Sequence, residues 1–165
     1  MINKETVFSK DTENKKLTVV RAFAAPLPLV WTAWTDPAIL DQWWAPLPWH
    51  AETKTMDFKE GGLHLYNMKG PAGEISWSIE RYKTIRPQTL IVNDSAFCDQ
   101  DGRENPDMPS MHWRKQFSQT GDATTVNVEL TFDTEEDMEG LIKMGFREGF
   151  SMGLDNLERY LSTQK

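Results

Sequence analysis

The stretch TTVNVELTF sets Val126, Val128, Leu130 and Phe132 in alternation with Thr125, Asn127, Glu129 and Thr131. A period of two puts the apolar set on one face of a strand and the polar set on the other. Strands with one dry and one wet face belong to antiparallel sheets. LTVVRAF (17–23) spaces Leu17, Val19 and Phe23 the same way and reads as the first strand. From Trp49 to Phe132 every signal is strand or turn. LHLYNMK, ISWSIERYKTI, LIVNDSAF and MHWRKQF are strands, separated by Gly61-Gly62, by Gly70-Pro71-Ala72-Gly73, by Pro87 and by the polar loop CDQDGRENPDMP. A turn at Thr120-Gly121-Asp122 leads into the last strand.

Two short helices fill the gap between residues 23 and 49. Pro28 suits the first turn of one that runs through Trp34. Asp36 followed by Pro37 reads as an N-cap and first helical residue of a second, ending near Trp44 before Pro46 and Pro48. After Asp133 the period becomes helical. Thr134 is the expected N-cap, with Glu135, Glu136 and Asp137 at the positive helix end. Met138, Leu141, Ile142, Phe146, Phe150, Leu154, Leu157 and Leu161 form one apolar arc, and Arg147, Glu148, Ser151, Asp155 and Glu158 lie opposite. The pattern predicts a single uninterrupted C-terminal helix.

Length and composition narrow the class. The 165 residues fit one domain spanning 1–165, with residues 1–5 and 162–165 expected to be frayed ends. A net charge of −7 argues against nucleic-acid binding, which needs a basic patch to replace phosphate counterions. The single cysteine, Cys98, has no intramolecular disulfide partner and suits a reducing compartment. The N-terminus has no apolar run of a signal peptide, and no segment is long and apolar enough for a membrane span. These features predict a cytoplasmic protein.

Several motifs resemble a known family. They are Arg21-Ala22-Phe23-Ala24-Ala25-Pro26, Val30-Trp31-Thr32-Ala33-Trp34-Thr35-Asp36-Pro37 and Trp43-Trp44-Ala45-Pro46. Further along come Met56-Asp57-Phe58-Lys59-Glu60-Gly61-Gly62, Met68-Lys69-Gly70-Pro71-Ala72-Gly73 and Met144-Gly145-Phe146-Arg147-Glu148-Gly149-Phe150. Together they resemble the activator of Hsp90 ATPase homologue 1-like family of the START/Bet v 1-like (SRPBCC) superfamily. Ala96-Phe97-Cys98-Asp99 and Met108-Pro109-Ser110-Met111-His112-Trp113 are similar to one bacterial subgroup. The resemblance implies an α+β helix-grip fold: a curved antiparallel sheet around a long C-terminal helix, two short helices after the first strand, and a cavity between sheet and helix. Its motifs concern structure more than chemistry, so it assigns no reaction.

Four groups of residues bear on function. Trp31, Trp34, Trp43 and Trp44 fall within fourteen positions. They are core plugs, with Trp43 or Trp44, together with Trp49, at the mouth of the cavity. His64, Tyr66 and Met68 share one strand face, which the resemblance turns inward. His64 is either a ligand-orienting or acid–base group or simply a hydrogen-bonded core histidine. Met111, Trp113 and Phe117 share another face, with Lys115 between them, while His112 points away and His50 opens a strand. Gly145, Gly149 and Gly153 recur every four residues on the helical arc. Each costs roughly 1 kcal/mol relative to alanine there, so they serve either close approach of the sheet or space for a ligand.

The expected cavity lining is therefore Trp43, Trp44, Trp49, His64, Tyr66, Met68, Met111, Trp113, Phe146, Gly149 and Phe150. The partner would be a small hydrophobic or aromatic molecule, with no reaction assigned. An enzyme of cyclase or lyase type using His64 and Tyr66, and a chaperone-interaction module, are the alternatives, and a homodimer is left open. The three histidines and Cys98 have no metal-ligand spacing, no cofactor motif is present, and no motif surrounds a Cys98–histidine nucleophile pair. The acidic residues Asp94, Asp99, Asp101, Glu104 and Asp107 around the long loop read as solvated.

Overall fold

In a computed structural model, which describes residues 5–164, the chain forms one eight-stranded antiparallel sheet and four helices. The strands are β1 (Val7–Asp11), β2 (Lys16–Phe23), β3 (His50–Met56), β4 (Leu63–Lys69), β5 (Ile75–Arg86), β6 (Leu90–Cys98), β7 (Ser110–Thr120) and β8 (Ala123–Thr131). Helices α1 (Leu27–Thr35) and α2 (Pro37–Trp43) lie between β2 and β3, and α3 (Glu135–Lys143) and α4 (Phe146–Ser162) close the chain. The sheet order is β1-β2-β8-β7-β6-β5-β4-β3. This is the helix-grip fold.

β8 behaves as its alternation dictates: Val126, Val128, Leu130 and Phe132 are buried in the main core with Phe150, Leu154, Leu157 and Leu161 of α4. Both predicted caps form. Asp36 accepts from the backbone N–H groups of Ala38 and Ile39, and Thr134 accepts from that of Asp137. Arg21, on the inward row of β2, reaches Asp155 of α4 at 2.6 Å, and this ties sheet to helix.

Two expectations are corrected. An additional strand, β1, precedes the predicted first one, so the short helices follow the second strand. β1 pairs only with β2 and is largely exposed, so hydrophobic patterning gives no sign of it. The C-terminal helix is also broken. The Gly145 N–H bonds to the Ile142 carbonyl with φ at 90°, a left-handed conformation that ends α3. The Gly149 N–H then bonds to the Gly145 carbonyl, so α4 starts at once.

The 99–109 loop folds back on the outer sheet face. A Cβ at Gly102 would stand 3.3 Å from Ile79, within a second small core of Leu65, Ile79 and Ala96. Lys54 donates to the Gln100 carbonyl, and Arg81 pairs with Glu104. Asp99 accepts from the backbone N–H groups of Asp101 and Arg103.

Candidate functional site: an aromatic cavity between sheet and helix

Adjacent antiparallel strands align the inner residues of β4 to β7 in ladders. His64 faces Glu80, Tyr66 faces Ser78, Met68 faces Ser76, and Ser95 faces Met111. Small residues in these rows leave space. A cavity of about 230 Å³ lies over Tyr66, Met68, Ser76, Ser78, Ser95, Phe97, Met111 and Trp113. Its other walls are Trp44 and Pro46 after α2, Leu141 of α3, Met144 and Gly145 at the helix break, and Phe146, Gly149 and Phe150 of α4.

Of the residues expected in the lining, Trp44, Tyr66, Met68, Met111, Trp113, Phe146, Gly149 and Phe150 come together here. The aromatic rings brace one another. Trp44 lies 5.7 Å from Phe150 and 5.9 Å from Trp113, and Phe146 stacks on Phe150 at 5.3 Å. Trp43, Trp49 and His64 do not line the cavity. Trp43 is fully buried, donates its indole N–H to the Ala33 carbonyl and packs edge-on against Trp34. Trp49 packs on the core beside Gly70.

His64 sits one row deeper than the cavity wall. Its ring stacks on Tyr66 at 4.7 Å, and both nitrogens are engaged: Nδ1 with Glu80 at 3.0 Å and Nε2 with Thr53 at 2.9 Å. Glu80 also accepts from Asn93 and Lys115, at 3.2 and 3.3 Å. The Lys115 ammonium lies 5.0 to 5.8 Å from the ring centres of Trp113, Trp44 and Trp34, a cation–π enclosure behind the cavity wall. Burial alone would raise the Glu80 carboxyl, but Lys115 and His64 outweigh it and hold it well below the usual carboxylate range. This buried ion cluster is an internal anchor linking β3, β4, β5 and β7. It presents neither His64 nor Lys115 to the cavity.

The polar atoms that do reach the cavity are hydroxyls. Tyr66 accepts from the Trp44 indole N–H at 2.9 Å, and Ser95 accepts from that of Trp113 at 2.8 Å. Burial, with the Glu80 charge nearby, pushes the Tyr66 hydroxyl far above its ordinary range, so it stays protonated. Ser76 and Ser78 have no counterpart in the sequence reading. In ISWSIE the apolar partners Trp77 and Ile79 take the outer face, where the second small core and the 99–109 loop cover them.

Elsewhere, His112 bridges Asp94 at 2.7 Å and Asp133 at 2.9 Å on the outer face, and Asp94 also pairs with Lys83. Burial pushes the Cys98 thiol up to about 11, which leaves it a protonated and poor nucleophile. Among the described residues no group of histidine, cysteine and carboxylate side chains is placed to hold a metal. No described helix is long and apolar enough to cross a membrane.

A curved antiparallel sheet gripping a C-terminal helix, with a small aromatic cavity between them, defines a helix-grip domain. The chain belongs to the family described as Activator of Hsp90 ATPase homolog 1-like protein, which it matches over residues 24–162. Among solved structures it is similar to a protein from Arthrobacter aurescens, with 29% identity over 95% of this chain and 91% of that one, and a TM-score of 0.90. It is also similar to a protein from Mycobacterium smegmatis, with 26% identity over 94% and 96% of the two chains and a TM-score of 0.88. A Staphylococcus epidermidis protein is 27% identical over 96% and 94%, with a TM-score of 0.83. No curated protein matches the chain.

Proposed function

We propose that the cavity binds one small, flat, mostly apolar molecule and that the protein is a binding module rather than an enzyme. The observation that carries this reading is the wall itself. Trp44, Trp113, Phe146 and Phe150 surround about 230 Å³, and among the described residues no ionisable side chain other than the neutral Tyr66 lines it. A dry cavity of roughly 150 Å³ is enough for benzene, so this one has room for a ligand of one or two fused rings. Tight packing of rings on a planar ligand supplies affinity, and a few hydroxyls supply orientation.

The enzyme alternative loses its acid–base pair, because His64 is occupied at both nitrogens behind Tyr66. The test is quenching of tryptophan emission by 2-acetylnaphthalene, in the wild type and in Gly149→Leu. Gly149 lines the cavity, so a leucine there projects into the space. Saturable quenching in the wild type and at least tenfold weaker binding in the variant is the expected result. Equal affinity in both would place the site elsewhere.

A further inference from the structure

Two hydroxyls in the wall, those of Tyr66 and Ser95, each accept from a group that can only donate. An indole N–H has no acceptor capacity. Trp44 donates to the Tyr66 oxygen, and Ser78 lies beside Tyr66 across the ladder. Trp113 donates to the Ser95 oxygen in the same way. The Ser95 proton meets only the Met111 sulfur at 3.8 Å, a weak acceptor. The Trp113–Ser95 chain therefore runs in one direction and ends in a serine O–H without a strong acceptor in the wall.

Charge excludes one kind of acceptor. Lys115 is paired with Glu80 behind the tryptophans, and among the described residues no cation lines the cavity. An anionic ligand would lose its hydration and gain no counter-charge. We propose that the cavity selects ligands carrying a neutral hydrogen-bond acceptor, such as a ketone or other conjugated carbonyl oxygen, seated on the Ser95 hydroxyl. This rests on the binding reading above and adds to it which chemical handle the ligand carries and which residue recognises it. A carboxylate, or a bare hydrocarbon of the same shape, is discriminated against.

Equilibrium dialysis of the full chain against three shape-matched probes tests this: 2-acetylnaphthalene, 2-ethylnaphthalene and 2-naphthoate. One neutral hydrogen bond contributes about 0.5–1.5 kcal/mol net, so the ketone should bind roughly three- to tenfold more tightly than the hydrocarbon. Naphthoate should bind more weakly than the ketone. In Ser95→Ala the ketone preference should fall to about unity, with 2-ethylnaphthalene bound at least as well as before. Equal binding of ketone and hydrocarbon by the wild type overturns this inference while leaving the binding reading intact. So does tighter binding of naphthoate than of the ketone, or a ketone preference that survives in Ser95→Ala. Failure of all three probes to bind overturns both.

Discussion

A Cβ built on Gly153 of α4 would stand 3.1 Å from the backbone carbonyl oxygen of Trp44 and 3.3 Å from that of Trp43. These carbonyls end α2, where helical partners run out. Asn156, three residues further along α4, donates to the Trp43 and Ala45 carbonyls and holds the same segment in place. The segment cannot retreat from an added methyl without breaking these bonds. Gly153→Ala is therefore expected to destabilise. The overpacking cost of roughly 1–3 kcal/mol exceeds the gain of up to about 1 kcal/mol in helix propensity. Gly149 differs, because its Cβ would meet only Pro46 at an ordinary 3.6 Å. Gly149→Ala should be neutral or stabilising by up to about 1 kcal/mol. Urea unfolding of the two variants side by side checks the ordering, and the reverse order would contradict it.

Glu80 is the hinge of the buried ion cluster, so its loss leaves Lys115 uncompensated in a ring of tryptophans. Glu80→Gln should cost about 3–5 kcal/mol, and adding Lys115→Met should recover part of that loss. The Glu80 carboxyl is held below its unfolded value of 4.5. Its contribution is present above that value and is lost as pH falls from there toward about 2. The stability gap between wild type and Glu80→Gln should therefore shrink on acidification through this window. Urea midpoints measured across it would show this, and a constant gap would count against the cluster.

His112 works in the opposite sense. Hydrogen bonds to Asp94 and Asp133 raise its folded-state value above the ordinary 6.5. Its contribution is fully present below 6.5 and is lost as pH rises through the raised folded value. Thermal melts of wild type and His112→Asn should differ more at about pH 6 than at about pH 9. The site is well exposed, so the effect is modest and should weaken with added salt. A difference that grows with pH would refute the assignment.

What could be read in the sequence, and what could not, follows from how each residue is used. β8 and both helix caps were legible because alternation and capping chemistry are local. The break at Gly145 was hidden, since α4 begins immediately and the apolar period runs through it. β1 was hidden because an exposed edge strand need not alternate. Most of the aromatic cavity lining could be assembled from strand and helix periodicity together with the inward face implied by the family resemblance. Ser76 and Ser78 could not, because hydrophobicity alone turns Trp77 and Ile79 inward, and only the outer cover of Leu65, Ala96 and the long loop explains the reversal. The partners of His64 were equally out of reach. Glu80 and Lys115 come from other strands, and nothing local marks a buried charge as paired.

The central claim is that a flat apolar ligand occupies the space between sheet and helix, and amide chemical shifts report on it residue by residue. Titration of 15N-labelled protein with 2-acetylnaphthalene should give saturable shifts clustered at Tyr66, Ser78, Ser95, Trp113, Gly149 and Phe150, all of which line the cavity. Residues of the outer face, such as Trp77, Ile79 and His112, should stay close to their free positions. Shifts confined to that outer face, or none at saturating ligand, would contradict the account.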